Sequence, residues 1–244
     1  MASPVHQFDI QPLFGPTHDV GAPMHFLTFT NSSLWMVIAV IVATGFMFLG
    51  IRSAKLVPGR WQSMVELTYQ FVADMLRDNV GQEGMKYFPF IFTLFMFVVV
   101  GNMMGMIPGS FTYTSHIAVT GAMALFIFIG VTIIGFMRHG THFLRMFFPH
   151  GAPIATAPIL IPIELISYFS RPFSLAVRLF ANMTVGHIML KVLAGFVAAL
   201  GVFGVVPLVA VAGITVLEFG IAFLQAYVFT ILSCIYLNDA INMH

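Results

Sequence analysis

Charge is what this sequence has least of. Only 8% of its 244 residues are Asp, Glu, Lys or Arg, whereas 59% are hydrophobic and the mean hydropathy is +0.96. Soluble domains carry roughly 25% charged residues, so a water-soluble globule is excluded and a polytopic membrane protein is indicated. The formal net charge of +1 leaves no basic field that could hold nucleic acid. Cysteine is nearly absent: Cys234 stands alone in an apolar helical pattern, which rules out an intrachain disulfide and suggests a small buried residue. The first 31 residues lack Lys and Arg and have no apolar core of signal-peptide type, so no cleaved targeting segment is expected. A Gly-rich phosphate loop ending in Lys and Ser or Thr is also missing, which places P-loop nucleotide chemistry elsewhere.

What is present is apolar and helical. Leu34–Ile51 (18 residues), Phe88–Pro108 (21) and Ile117–Met137 (21) are uncharged runs close to the roughly 20 residues a spanning helix needs. The stretch 58–80 differs. Trp61, Met64, Val65, Val72, Met75 and Leu76 form one helical stripe, and Ser63, Glu66, Gln70, Asp74 and Arg77 another. Pro58 suits a first turn, so an amphipathic helix lying in the interface is expected, with a soluble-side helix packed on a partner as the other reading. Lys and Arg are one-sided: Arg52, Lys55, Arg60, Arg77 and Lys86 follow the first span, Arg138 and Arg145 the third, and 109–116 has none. The positive-inside rule then puts the N-terminal tail (1–31) outside and the C-terminus in the cytoplasm.

Residues 158–242 are expected to form a hairpin turning near Gly204–Pro207. Each arm as helix would reach about 55–65 Å against a hydrocarbon core of ~30 Å. Pro162 and Pro172 allow kinks in the first arm, while the second has no proline after Pro207. Breaking the arms into shorter pieces is one solution; strong tilt is expected for the second arm, and tilt with proline kinks for the first. The predicted fold is all-α: one N-terminal span, the interfacial helix, a transmembrane hairpin (88–137) and a tilted, near-horizontal hairpin in one membrane domain.

Within that last hairpin only Glu164, Arg171, Arg178, Lys191, Glu218 and Asp239 carry charge. A guanidinium at membrane depth costs at least ~2.5–3.5 kcal/mol and stays protonated because its pKa exceeds ~12. Arg178 therefore needs a partner or a water-filled path. Arg171, Ser174, Arg178 and Asn182 share one helical stripe, with Glu164 about 40° off it and His187 on the opposite face. Glu218 and Gln225, seven apart, share a face of the second arm. A fixed cation with titratable groups on either side describes a proton path interrupted by a barrier. Carboxylates and imidazoles pass protons, and Arg does not. Blander readings exist: Arg171 and Lys191 can snorkel, Glu164 can be merely solvated, and His187 with Glu218 can be a structural pair.

The run Pro162-Ile-Glu164-Leu-Ile-Ser and Arg171-Pro-Phe-Ser174-Leu-Ala-Val-Arg178-Leu-Phe-Ala-Asn182-Met resembles the signature of subunit a of F-type ATP synthases. Leu224-Gln225-Ala-Tyr-Val-Phe and Gly101-Asn102-Met-Met-Gly-Met-Ile-Pro108 are similar to further segments of that family, from about Leu34 to Asn242. The resemblance implies a non-catalytic membrane stator facing a rotating c-ring, with peripheral-stalk b-type subunits and the rest of the synthase as partners, no metal and no cofactor. It implies that Arg178 meets the c-ring carboxylate and blocks a short-circuit. Asn182, His187, Glu218 and Gln225 would line an outer half-channel, Glu164 and Ser174 would lie near an inner one, and Arg171 and Asn102 would support them. Here the order of acid and His is the reverse of the best-known bacterial pattern, as in mitochondrial and related bacterial subunits. A swapped pair keeps its chemistry only if the two side chains meet in space. The polar tail with His6, Asp9 and Asp19 points to a bacterial inner membrane, the mitochondrial inner membrane being the alternative. A self-contained ion-coupled transporter would show inverted repeats, which three spans and one hairpin lack. A haem subunit would need paired axial histidines, whereas only His187 lies deep in a span, His139 and His142 following the third.

Overall fold

The computed structural model describes residues 12–14, 29–52, 55–107, 110–140, 143 and 157–242. His6, Asp9, Asp19, Pro108, His142 and Arg145 lie outside these residues. Six α-helices make up nearly all of the described chain: α1 (Asn31–Ile51), α2 (Arg60–Val80), α3 (Phe88–Gly105), α4 (Ile117–His139), α5 (Ala157–Ala199) and α6 (Val205–Ile241). All except α2 belong to segments long and apolar enough to cross a membrane.

Local chemistry explains most boundaries. α1 begins ahead of the uncharged run because the Thr30 side chain accepts from the Ser33 N–H, satisfying one of the four donors a helix start leaves open. Its surface is apolar all round, with Val37, Ile41, Phe48 and Leu49 exposed, which only a lipid environment tolerates. In α2 the residues Val65, Val72, Met75 and Leu76 are buried, as are Ala73 and Val80. Trp61 and Met64, which the sequence places on the same stripe, are exposed instead. The turn into α6 passes through Gly201 at φ +56°, a conformation glycine adopts without penalty. Pro207 follows in the first turn of α6, where a missing N–H costs nothing.

α5 is continuous through Pro162 and Pro172. Each proline forfeits one helical hydrogen bond without ending the helix. At 1.5 Å per residue, α5 is roughly 65 Å long and α6 roughly 55 Å, about twice the hydrocarbon thickness. Unbroken helices of that length fit a bilayer by tilting. One element was not foreseen: Pro12–Phe14 pairs antiparallel with Phe29–Thr30. Strands of three and two residues are too short for alternation to be read.

The chain divides into two compact units, one made of residues 1–66, 96–116 and 180–226, the other of 67–95, 117–179 and 227–244. In the first, the segment after α3 is pinned by Tyr113, whose hydroxyl donates to the Phe97 carbonyl (3.0 Å) and whose ring lies 5.3 Å from that of Phe97. Tyr113 sits directly on Gly101, so a methyl at that position would overlap its hydroxyl. Gly101→Ala is therefore expected to cost about 1–3 kcal/mol by overpacking, read as earlier thermal unfolding of the purified protein. In the second unit, α4 and α5 meet through Phe128 and Tyr168 (4.8 Å between rings) and a 2.7 Å bond between the Thr132 and Tyr168 hydroxyls. Arg138 pairs with Glu83, and His139 donates to the Ile241 carbonyl (3.1 Å).

Candidate functional site

Two arginines seven residues apart on α5 have opposite surroundings. Arg171 is half-buried and donates from Nη1 to Asp239 Oδ2 at 2.6 Å. Its guanidinium also lies over the rings of Tyr168 (5.8 Å) and Tyr236 (5.4 Å). Such a cage of carboxylate and aromatic faces neutralises the charge locally. Arg171 therefore does not snorkel; it ties α5 to the end of α6. Truncating it strands Asp239, so Arg171→Ala is expected to cost about 1.5–3 kcal/mol. A double-mutant cycle with Asp239→Ala should show non-additivity in the stability of the purified complex.

Arg178 belongs to the same unit and is exposed. Among the described residues it makes no hydrogen bond or ion pair, only a charge interaction with Tyr236. Ser174, on the same stripe, is exposed as well, and Glu164 is half-exposed. Among the described residues neither Ser174 nor Glu164 forms an ion pair or hydrogen bond with Arg178.

The other unit gathers the polar residues of the second group. Gln225 is 1% exposed, and its Oε1 accepts from Asn182 Nδ2 at 2.6 Å. Asn102, fully buried, donates from Nδ2 to the Ala222 carbonyl at 3.1 Å. Glu218 is 4% exposed, with one carboxyl oxygen against Gly186, where a methyl group would overlap it. His187 is half-buried, with Nε2 at 3.0 Å from Thr112 Oγ1. Thr184 donates to the Ser115 carbonyl at 3.2 Å. Close by in sequence, His116 stacks on Phe111 at 5.1 Å, and burial lowers its pKa, favouring the neutral ring.

This cluster is unusual in what it leaves unpaired. Asn102 Oδ1, Thr114 Oγ1, Glu218 Oε2 and Gln225 Nε2 are buried and have no partner among the described residues. Over 90% of buried polar groups in native proteins are paired with protein or water, so a run of exceptions in one unit is a place where bound water would complete the hydrogen bonding. The Glu218 carboxyl lies beside the residue preceding His187, yet no hydrogen bond joins the two side chains. A proton passing between them would need a bridging water.

Thr112, Tyr168, Tyr236 and Asp239 take part in these arrangements and were not singled out from the sequence. Asp239 carried a signal, as a carboxylate in an apolar arm, but its partner lies 68 positions away. Thr112 carried none, because a threonine in a short loop is unremarkable. Among the described residues no group of three or more His, Cys, Asp or Glu could hold a metal ion.

The family model described as ATP synthase A chain matches residues 33–238. Proteins named ATP synthase subunit a are similar over the whole chain: that of Paramagnetospirillum magneticum is 68% identical and that of Rhodospirillum rubrum 67%, each covering 100% of both chains. The subunit a of Parvibaculum lavamentivorans is 54% identical over 98% of this chain and 93% of its own. With a match across the residues that carry both the lone arginine and the buried polar cluster, this chain belongs to the ATP synthase subunit a family.

Proposed function

We propose that this chain is the proton-conducting stator of a rotary ATP synthase membrane sector, working beside a c-ring and a peripheral stalk of b-type subunits in a bacterial inner membrane. It binds no nucleotide itself. The observation that carries the reading is the contrast between the two arginines: Arg171 is neutralised within its own chain, whereas Arg178 is exposed on an apolar helix and has no carboxylate paired with it among the described residues. A permanent charge in that setting is tolerable if its counter-ion lies on another protein.

Protons reach the rotor from the outer side through the water-served cluster of His187, Glu218, Asn102, Asn182 and Gln225. There they neutralise a rotor carboxylate, which can then enter lipid. After nearly a full turn the carboxyl approaches Arg178, whose field favours the ionised form, and the proton departs inward past Ser174 and Glu164. Arg178 cannot accept the proton, so it separates the two half-channels. Each proton contributes ~2.3 kcal/mol per 100 mV, so several must pass for each ATP.

The exposed face of α5 should meet the rotor. Val185 is 62% exposed and, seven residues after Arg178, lies on the same helical stripe. A cysteine there is expected to crosslink to one placed beside the rotor carboxylate in the assembled complex, and a cysteine at Val40 on α1 is not. Absence of the Val185 crosslink in an active complex would contradict the reading.

A further inference from the structure

At the end of α3 the Met104 carbonyl accepts from the Ile107 N–H (3.1 Å) and the Ile107 carbonyl from the Ser110 N–H (3.0 Å), and two hydroxyls reach into the same turn. Ser110 Oγ lies 2.6 Å from the Met104 carbonyl, 2.7 Å from that of Ile107 and 3.1 Å from that of Gly105. A hydroxyl has one proton, and here it goes to one of the two nearer oxygens. The Gly105 carbonyl is left to Thr112, whose Oγ1 donates to it at 3.1 Å. Gly105 makes this approach possible, since a Cβ there would lie 2.6 Å from Thr112 Oγ1 and Cγ2. Thr112 is 5% exposed, and its backbone carbonyl is held by Ser115 Oγ at 2.6 Å, so the side chain is fixed in place.

With its proton committed to Gly105, Thr112 Oγ1 can only accept from His187 Nε2, 3.0 Å away. We propose that Thr112 is a positioning residue that holds neutral His187 as the Nε2–H tautomer, making Nδ1 the nitrogen that takes up a proton. This rests on the assignment of His187 to the outer proton path above, and adds which ring nitrogen takes up the proton and gives it back. The imidazole thus donates to the Thr112 hydroxyl and the hydroxyl to the Gly105 carbonyl, all in one direction. A proton collected at Nδ1 is not shared with Thr112, whose hydroxyl contacts the other ring nitrogen.

The test is nitrogen-15 NMR of the assembled complex in lipid vesicles with labelled histidine, at about pH 8, above the ordinary imidazole pKa of ~6.5. The His187 signals are those lost in His187→Gln. The wild type should show a protonated Nε2 and an unprotonated Nδ1. Thr112→Val should mix the tautomers and lower passive proton flux through the membrane sector at least about tenfold, and Thr112→Ser should restore both. A protonated Nδ1 in the wild type, or an unchanged spectrum in Thr112→Val, overturns the proposal. The wild-type spectrum needs no variant, so failure of Thr112→Val to assemble does not blunt it. Mixed tautomers with undiminished flux would support the positioning and overturn the place of His187 in the path.

Discussion

Arg178→Ala is expected to abolish proton-driven ATP synthesis while leaving the protein folded and assembled. The side chain is exposed and makes no hydrogen bond or ion pair among the described residues, so its removal should change stability by no more than about 0.5 kcal/mol. The loss would instead be one of coupling. On the proposed function, a returning rotor carboxyl would then have no reason to release its proton inward, and the two half-channels would no longer be separated. Synthesis in reconstituted vesicles should fall at least about a hundredfold, the effect of removing some 2.7 kcal/mol of differential stabilisation. Passive proton flux should persist. Arg178→Lys should fail as well, because a lysine in apolar surroundings shifts its pKa and can give up its proton. Arg171→Ala provides the contrast, losing stability through Asp239 before it loses chemistry.

Glu218→Gln carries the second largest expected effect. The amide matches the carboxyl in size and keeps the packing against Gly186, so assembly should survive. It cannot exchange a proton on the path, and proton flux should fall about 100-fold or more. Glu218→Asp should retain part of the flux. Gly186→Ala, which keeps the acid but pushes it aside, should give an intermediate loss. Fluorescence quenching in vesicles reports pumping, and acidification of vesicles stripped of the catalytic sector reports passive flux. Wild-type flux in Glu218→Gln would remove Glu218 from the path.

The helical segments were legible because lipid imposes so simple a code: uncharged runs of sufficient length become helices, as α1, α3 and α4 show. The two long arms were legible as helix, and the structure adds that Pro162 and Pro172 do not interrupt α5. Arg178, His187, Glu218 and Gln225 could be singled out because each is a polar group in apolar surroundings. Pairings across the chain could not. Sequence spacing leaves Arg171 free to snorkel, and only the fold brings Asp239 and two tyrosines around it. Thr112 is invisible for a different reason: its importance lies in where a single hydroxyl proton points, which depends on three carbonyls and a glycine at the end of α3. The strand pair near the N-terminus was too short to leave a pattern.

The central claim is that the counter-charge of Arg178 lies on the rotor. A high-resolution map of the assembled membrane sector, with rotor and stator resolved in each rotary state, measures it directly. The account predicts that one rotor carboxylate comes within ion-pair reach of the Arg178 guanidinium, about 4 Å or less, in at least one state. A map in which Arg178 faces lipid or another stator subunit in every state, with no rotor carboxylate near it, would contradict it.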